Sequence, residues 1–336
     1  MMMPLAKSAN LLASCALVGL GAAAGAQQPA PQDGTPREWL EKMNSALAQR
    51  NYDGTFLHLS EGRVETMRIV HRVVGGEVTE RLMSLDGSGR EFVRNSTELT
   101  CYLPDKNTIL VEPRQSSGPF FGTLPQFNPG VAQVYELNTL PGIRILGRAA
   151  HGIAVSPKDQ FRFGYRLWLD QQTGMPLKTQ LCDSAGRLIE QIQFAHLEMP
   201  DSIPDSALKP SMPLAGMQII RQGSHDETVA KGAGFRAVDL PPGFHLMVAG
   251  ARMLGGVGDP VMHLVYSDGL ATVSVFVEPG VAVAPSSQQQ ELARVGSGFA
   301  FSTIVQGHQV TAVGEVPAQT VEFIANSVRL DTTATH

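Results

Sequence analysis

The sequence predicts a mainly β protein of the α+β class. A large, half-open antiparallel β-barrel over helices should be followed by a smaller β-sheet domain with a C-terminal helix. Short strand-like segments separated by tight turns favour an antiparallel meander, which curls readily into an open barrel. Apolar residues at helical spacing occur in few places, one of them just after residue 36 and another near residue 320. A proline-rich stretch at residues 199–216 divides the strand-like segments into two groups.

The N-terminal segment has the layout of a secretory signal peptide. Lys7 precedes an apolar, small-residue run over residues 11–24, and Ala24-Gly25-Ala26 forms a small-x-small cleavage site. The run is too short and too rich in Gly and Ala for a good membrane span. We therefore predict that residues 1–26 direct export and are removed. Reading Leu12-Ala13-Ser14-Cys15 as a lipid-attachment box is the alternative, disfavoured because the apolar segment continues past Cys15.

Composition narrows the class of protein. A chain of 336 residues suits two domains after loss of the signal, and 43% hydrophobic with 17% charged residues is typical of a globular protein. The formal net charge of -5 gives no general reason to bind nucleic acid. Cys101 and Cys182 remain in the mature chain. Buried thiols are the favoured interpretation of this pair, with a disulfide as the alternative.

The first predicted domain covers residues 36–198. A helix opens at Pro36, and Trp39, Met43, Ala46 and Leu47 share one face that should be buried. A concave apolar sheet of this kind is a common binding surface for lipids or peptides. The strand-like segments cover residues 55–60, 65–74, 77–85, 91–103, 108–112, 143–148, 161–170, 177–183 and 188–197.

The second predicted domain covers residues 218–330, after a proline-rich linker at residues 199–217. A last amphipathic helix, residues 319–329, places Val321, Ile324 and Val328 on one stripe. The strand-like segments cover residues 235–240, 244–254, 261–266, 271–277, 300–305 and 310–315.

Motifs that carry catalysis are absent from the sequence. Val295-Gly296-Ser297-Gly298 has the wrong spacing for a nucleophile elbow, and neither His-Glu-x-x-His nor a zinc-spaced cysteine pair occurs. His58, His71 and His196 fall in strands, where a partnered sheet histidine is the favoured interpretation over a metal ligand. We therefore predict no enzymatic activity, no catalytic residue, no metal site and no cofactor.

Two groups of side chains stand out. Phe120, Phe121, Phe127 and Tyr135 lie in an irregular segment, which we expect to be a loop packed on the core, with a mobile lid as the alternative. The other is a base-rich group that should form a solvated sheet face with carboxylate neighbours, or, if clustered, bind lipid phosphates. Its members are Arg63, Arg68, Arg72, Arg81, Arg90 and Arg94.

Several segments, in order along the mature chain, resemble the RseB/MucB family of periplasmic sigma-E regulators. In the first domain they are Trp39-Leu40-Glu41-Lys42-Met43 through Phe56, Leu85-Asp86-Gly87 with Arg90-Glu91-Phe92-Val93-Arg94, and Tyr165 through Asp170 followed by Thr173-Gly174-Met175-Pro176-Leu177. In the second they are Leu240-Pro241-Pro242-Gly243-Phe244, Leu264 through Leu270, and Val313-Gly314-Glu315-Val316-Pro317.

This resemblance implies a lipoprotein-carrier-like large domain and a function in signalling. A family member binds the periplasmic domain of an anti-sigma factor of the RseA/MucA type, shields it from proteolysis, and is released by lipopolysaccharide or a related lipid. The resemblance points to Tyr266, Ser267, Asp268 and Gly269 for partner contact, although a hairpin turn with a core tyrosine is the slightly favoured interpretation. For a lipid pocket the candidates are Tyr102, Phe120, Phe121 and Trp168.

Two other functions stay open at this stage. A periplasmic lipid or lipoprotein carrier would use the same concave sheet and retain a bound acyl chain. A hydrolase assembled from distant residues is disfavoured by the missing motifs. The expected partners are thus the anti-sigma factor and a lipid, with no nucleic acid and a possible homo-oligomer.

Overall fold

The computed structural model describes residues 34–113, 131–221, 234–252, 261–278 and 290–330. Its helices are α1 (Pro36–Gln49), α2 (Val131–Val134) and α3 (Ala318–Ser327). The first twelve strands are β1 (Tyr52–Ser60), β2 (Arg63–Val74), β3 (Glu77–Ser84), β4 (Glu91–Arg94), β5 (Glu98–Leu103), β6 (Thr108–Pro113), β7 (Tyr135–Ile145), β8 (Arg148–Pro157), β9 (Gly164–Asp170), β10 (Pro176–Cys182), β11 (Leu188–Glu198) and β12 (Gln218–Arg221). The remaining strands are β13 (Phe235–Ala237), β14 (His245–Arg252), β15 (Val261–Ser267), β16 (Thr272–Glu278), β17 (Glu291–Val295), β18 (Gly298–Val305), β19 (His308–Gly314) and β20 (Val328–Leu330).

Helix α1 begins at a complete capping box. The Thr35 hydroxyl accepts the Glu38 N–H, the Glu38 carboxylate accepts the Thr35 N–H, and Pro36 occupies the first turn. The predicted apolar face of this helix is confirmed, because Trp39, Met43, Ala46 and Leu47 are buried.

A single 12-stranded sheet forms the N-terminal lobe, which we define as residues 34–221. The strand order is β12-β6-β5-β4-β3-β2-β1-β11-β10-β9-β8-β7, and every pair is antiparallel except β12 with β6. Strands β12 and β7 are its two edges, so the sheet does not close. The expected mainly β class with a half-open antiparallel sheet is confirmed.

The core of this lobe lies on one face of the sheet, where α1 packs. Side chains alternate along each strand, so Leu167 and Leu169 are fully buried in this core. Phe194 lies over Gly54 on the neighbouring strand, and a Cβ at Gly54 would stand 2.5 Å from the Phe194 ring. Glycine is therefore required for the ring to cover the sheet.

The C-terminal lobe, residues 234–330, contains a six-stranded antiparallel sheet in the order β14-β15-β16-β19-β18-β17. Helix α3 covers one face, with Val321, Ile324 and Ala325 fully buried in the same core cluster as Leu264 and Val275. The small two-stranded sheet of β13 and β20 lies beside them. A smaller sheet with a C-terminal helix is thus confirmed. No helix in the part of the chain that the structure describes is long and apolar enough to cross a membrane.

Residues 199–217, predicted as a linker, lie on the outer face of the large sheet. Ile203 and Leu208 pack against Val70 and Met83, which point away from the main core. Polar contacts extend along the segment: Arg72 with Asp205, Arg81 with the Ala207 carbonyl, and Glu91 with the Ser211 N–H. We call these residues the strap, because they are bound to the sheet along their length. The domain boundaries at residues 198 and 218 stay a prediction.

The structure differs from the predicted elements in several places. The segment 91–103 is two strands, since the Asn95 side chain accepts the N–H groups of Thr97 and Glu98 and turns the chain. The segment 143–148 spans a hairpin turn, with positive φ at Leu146 and Gly147. Four strands were not predicted: β8, which is rich in small residues, β17, whose side chains are all exposed, β12 and β20. Strand β20 begins at Val328, where the predicted helix 319–329 was expected to continue.

Candidate functional site: the junction between the two lobes

The predicted partner-binding motif forms the end of β15 and the turn into β16. Tyr266 is 1% exposed, and its hydroxyl accepts the Ala237 N–H at 2.7 Å. The Ser267 hydroxyl donates to the Ala271 carbonyl at 2.8 Å and accepts the Gly269 N–H at 3.0 Å. These contacts make the motif a hairpin turn anchored by a core tyrosine.

Asp268 joins this turn to the N-terminal lobe. One carboxylate oxygen accepts the N–H groups of Leu270 and Ala271 at 2.8 and 2.7 Å. The other accepts Nη1 of Arg162 at 2.6 Å and the Tyr135 hydroxyl at 3.2 Å. The side chains of Arg162 and Asp268 are both 0% exposed, so water does not screen this ion pair.

Arg162 uses its remaining N–H groups on both lobes. Nη2 donates to the Pro242 carbonyl of the C-terminal lobe at 2.6 Å, and Nε donates to Asp159 of its own lobe at 3.0 Å. Burial, together with the Asp268 carboxylate, raises the pKa of Tyr135 well above its usual value, which keeps the phenol a donor. We call Arg162, Asp268, Tyr135 and the Pro242 carbonyl the arginine lock.

A second contact joins α3 to the loop before β9. The Thr320 hydroxyl donates to the Phe161 carbonyl at 2.7 Å, and the Gln319 side chain donates to the Gln160 carbonyl. The rings of Phe161 and Phe323 meet edge to face, with centroids 5.4 Å apart. Helix α3 is therefore attached to the other lobe by the side chains of Gln319, Thr320 and Phe323.

Two carboxylates meet at a third contact. Glu190 of β11 and Glu315 of the C-terminal lobe line one small cavity. Glu190 lies 3.1 Å from His58 Nε2, and Glu315 accepts the Ser297 hydroxyl. Burial above all, with the Glu190 charge, raises the pKa of Glu315 to about 7. The nearby Glu190 carboxylate raises the pKa of His58. This contact therefore changes its charge near neutral pH.

Two family models match this chain, one in each lobe. The MucB/RseB N-terminal domain model matches residues 35–212, and the MucB/RseB C-terminal domain model matches residues 229–329.

This chain belongs to the MucB/RseB family.

The family resemblance drawn from the sequence is thereby confirmed, together with the periplasmic location expected of a member.

Two curated relatives are regulatory proteins by name. The sigma factor AlgU regulatory protein MucB of Pseudomonas aeruginosa is 34% identical over 314 residues, which cover 91% of this chain and 94% of the relative. The sigma-E factor regulatory protein RseB of Escherichia coli is 26% identical over 302 residues, covering 86% and 89%.

Solved structures resemble both lobes. The crystal structure of MucB in complex with MucA(peri) is 32% identical in sequence and has a TM-score of 0.69, covering 89% of this chain and 100% of that chain. The crystal structure of MucB is also 32% identical and has a TM-score of 0.59, covering 88% and 98%.

Within this MucB/RseB architecture, the motif residues Tyr266 and Asp268 have their contacts inside the chain. Asp268 could meet a partner only after the junction opens, and Tyr266 is buried in the core of its own lobe. Partner contact through residues 266–269 stays a prediction. Sequence reasoning missed Arg162. Its nearest visible signal is Asp159, three residues before it, which predicts only a local ion pair.

Of the proposed lipid-pocket residues, the structure describes Tyr102 and Trp168. Tyr102 faces the same side of the sheet as Glu91, its neighbour across the strands, which contacts the strap. Trp168 alternates with the buried Leu167 and Leu169 and carries Lys178 over its ring at 5.1 Å. Phe120 and Phe121 lie outside the described residues. A lipid pocket built from these four side chains stays a prediction.

The base-rich group is largely paired with carboxylates. The pairs are Arg68 with Asp53, Arg72 with Asp205, Arg81 with Glu91 and Arg94 with Glu80. Carboxylate neighbours are confirmed, but Glu80 and Glu91 are buried, so these pairs are part of the packed structure rather than a solvated face. The histidines also have carboxylate partners, since His71 contacts Glu80 at 2.7 Å and His196 lies 3.4 Å from Glu198. Cys101 and Cys182 are buried as separate thiols.

Proposed function

We propose that this protein is a periplasmic negative regulator of an envelope-stress sigma factor. It binds the periplasmic segment of a membrane anti-sigma factor of the RseA/MucA type and shields that segment from proteolysis. The observation that carries the proposal is the likeness to MucB in complex with MucA(peri), which extends over both lobes. No catalytic step is part of this function, since the recognisable catalytic motifs are missing from the sequence and the relatives are named as regulators.

The junction supports a regulatory role on physical grounds. A buried ion pair, the hydrogen bond of Thr320 and an edge-to-face aromatic pair hold the lobes in one arrangement. A partner that contacts both lobes binds best to one arrangement, so a second ligand that favours another arrangement weakens its binding. This is the linkage that a displaceable regulator requires.

Titration with an anti-sigma periplasmic domain tests this function. The mature protein should bind the recombinant periplasmic domain of the MucA-type anti-sigma factor from its own organism and slow its cleavage by an added protease. Absence of binding to every such domain, together with a lipid that co-purifies, would instead support a lipid or lipoprotein carrier.

Release by lipopolysaccharide or a related lipid is the further part of the proposal. Titration of the protein–domain complex with lipopolysaccharide fragments should raise the apparent Kd for the anti-sigma domain. An unchanged Kd at saturating lipid would remove lipid release from the mechanism while leaving partner binding in place.

A further inference from the structure

A groove of about 620 Å³ lies beside the junction and has walls from both lobes. Gln160 and Phe161 contribute one wall, and Gln319 and Phe323 of α3 contribute the other. The hydrogen bonds of Thr320 and Gln319 to backbone carbonyls of the opposite lobe hold the walls together. The groove therefore exists only while the lobes keep this arrangement.

Packing in the core of its own lobe does not account for the position of the Phe323 side chain. On α3 the buried positions are Thr320, Val321, Ile324, Ala325 and Ser327. Phe323 points away from them and remains 39% exposed, although its ring meets that of Phe161. A large aromatic side chain on the outward face of a short helix is typical of a contact surface.

The charges of the groove are unevenly compensated. Asp239 is exposed and Glu322 is half-buried, and both line the groove. Neither carboxylate has an ion-pair partner among the residues that the structure describes. Arg329 also lines the groove, but its Nη1 donates to the backbone carbonyls of Asn326 and Val328. An incoming cation next to an apolar group would match this surface.

We propose that this groove binds an extended stretch of the anti-sigma segment in which an apolar side chain lies next to a Lys or Arg. The apolar side chain packs on Phe161 and Phe323, and the cation lies between Asp239 and Glu322. This inference rests on the proposed function, because it names the part of the surface that the partner uses. Since the walls come from different lobes, the bound segment stabilises the arrangement of the junction.

The test measures binding of the recombinant MucA-type periplasmic domain to matched variants of the mature protein. Phe323→Ala should weaken binding about tenfold or more, as expected for loss of an aromatic anchor, and Phe323→Tyr should retain most of the affinity. Glu322→Lys should slow association at low salt, and this difference should shrink at high salt. Leu292→Ala is the control, since Leu292 is 46% exposed on β17 and does not line the groove.

The outcomes separate this inference from the function on which it rests. If wild type binds no MucA-type domain, the proposed function fails. If wild type binds and Phe323→Ala binds within twofold of it, with an unchanged melting temperature, the groove is not the site. If Phe323→Ala changes the oligomeric mass of the free protein in solution and leaves partner binding normal, the groove is assigned to contacts between copies of this chain.

Discussion

Substitution of Arg162 by methionine tests whether the arginine lock holds the lobes together. In Arg162→Met the Asp268 carboxylate keeps the Tyr135 hydroxyl and two backbone N–H donors but loses its buried cation. Removing one partner of a buried pair costs about 3–5 kcal/mol. The donors that remain on Asp268 favour the lower end, about 3 kcal/mol of unfolding free energy.

Asp268→Asn is the matched comparison. Arg162 then keeps a second carboxylate, because Asp159 lies 3.0 Å from its Nη2. We expect a smaller loss, about 1–2 kcal/mol, of the size of one charge-assisted hydrogen bond. The double variant should cost less than the sum of the two, by at least about 1 kcal/mol, because the partners act on each other directly.

Urea denaturation followed by two signals measures these losses. Both tryptophans, Trp39 and Trp168, belong to the N-terminal lobe, whereas far-ultraviolet circular dichroism reports strands of both lobes. In wild type the two transitions should coincide, and in Arg162→Met the circular dichroism transition should begin at lower urea. A loss below about 1 kcal/mol in Arg162→Met, or a larger loss in Asp268→Asn, would refute this account of the lock.

Three further predictions concern other contacts. The pKa of Glu315 is raised to about 7 in the folded protein from an ordinary 4.5, so the folded state binds more protons in this window and stability falls as pH rises through it, by at most about 3 kcal/mol. The free energy of unfolding, measured at pH 5 and pH 8, should fall less in Glu315→Gln than in wild type. An equal fall in both proteins would exclude Glu315 as its cause. The raised pKa of His58 contributes a fall of the same sign in both proteins. Gly298→Ala should lower the urea midpoint of unfolding more than Gly54→Ala does. A Cβ at 298 overlaps the Gly314 carbonyl, whereas a Cβ at 54 meets the side chain of Phe194. Arg81→Met should speed chymotrypsin cleavage after Leu208 in the strap, since Arg81 holds both Glu91 and the Ala207 carbonyl. Unchanged cleavage on gel analysis would mean that the other strap contacts, among them those of Ile203 and Leu208, hold the segment without Arg81.

The fold was predictable where the side-chain pattern is local. The face of α1 follows from helical spacing, and β9 follows from the alternation of Leu167 and Leu169 with Trp168. The pattern fails where burial is unusual. Strand β17 has no buried face, and β8 contains Ala and Gly at positions where its neighbours pack, so neither shows the period-2 signal.

The junction could not be predicted because its contacts are distant in sequence. Arg162 and Asp268 are separated by 106 residues, and Thr320 is separated from Phe161 by 159. A lone arginine or a Ser-Asp-Gly turn is ambiguous until the fold brings them together. The packing of the strap on the sheet could not be predicted for a related reason, since prolines disfavour α-helix and sheet but do not exclude packing against a sheet that already exists.

The segments of the C-terminal lobe that resemble the family are the ones that build the junction. Leu240 through Phe244 contains the Pro242 carbonyl that accepts Arg162, and Gly243 stands at φ 82 against Val134 of the other lobe. Leu264 through Leu270 contains Asp268, and Val313 through Pro317 contains Glu315. These three segments therefore supply side chains and a carbonyl at the joint between the lobes. A regulator of this kind needs a defined joint more than it needs fixed partner contacts, because the arrangement of the lobes decides whether a surface that both of them form is available.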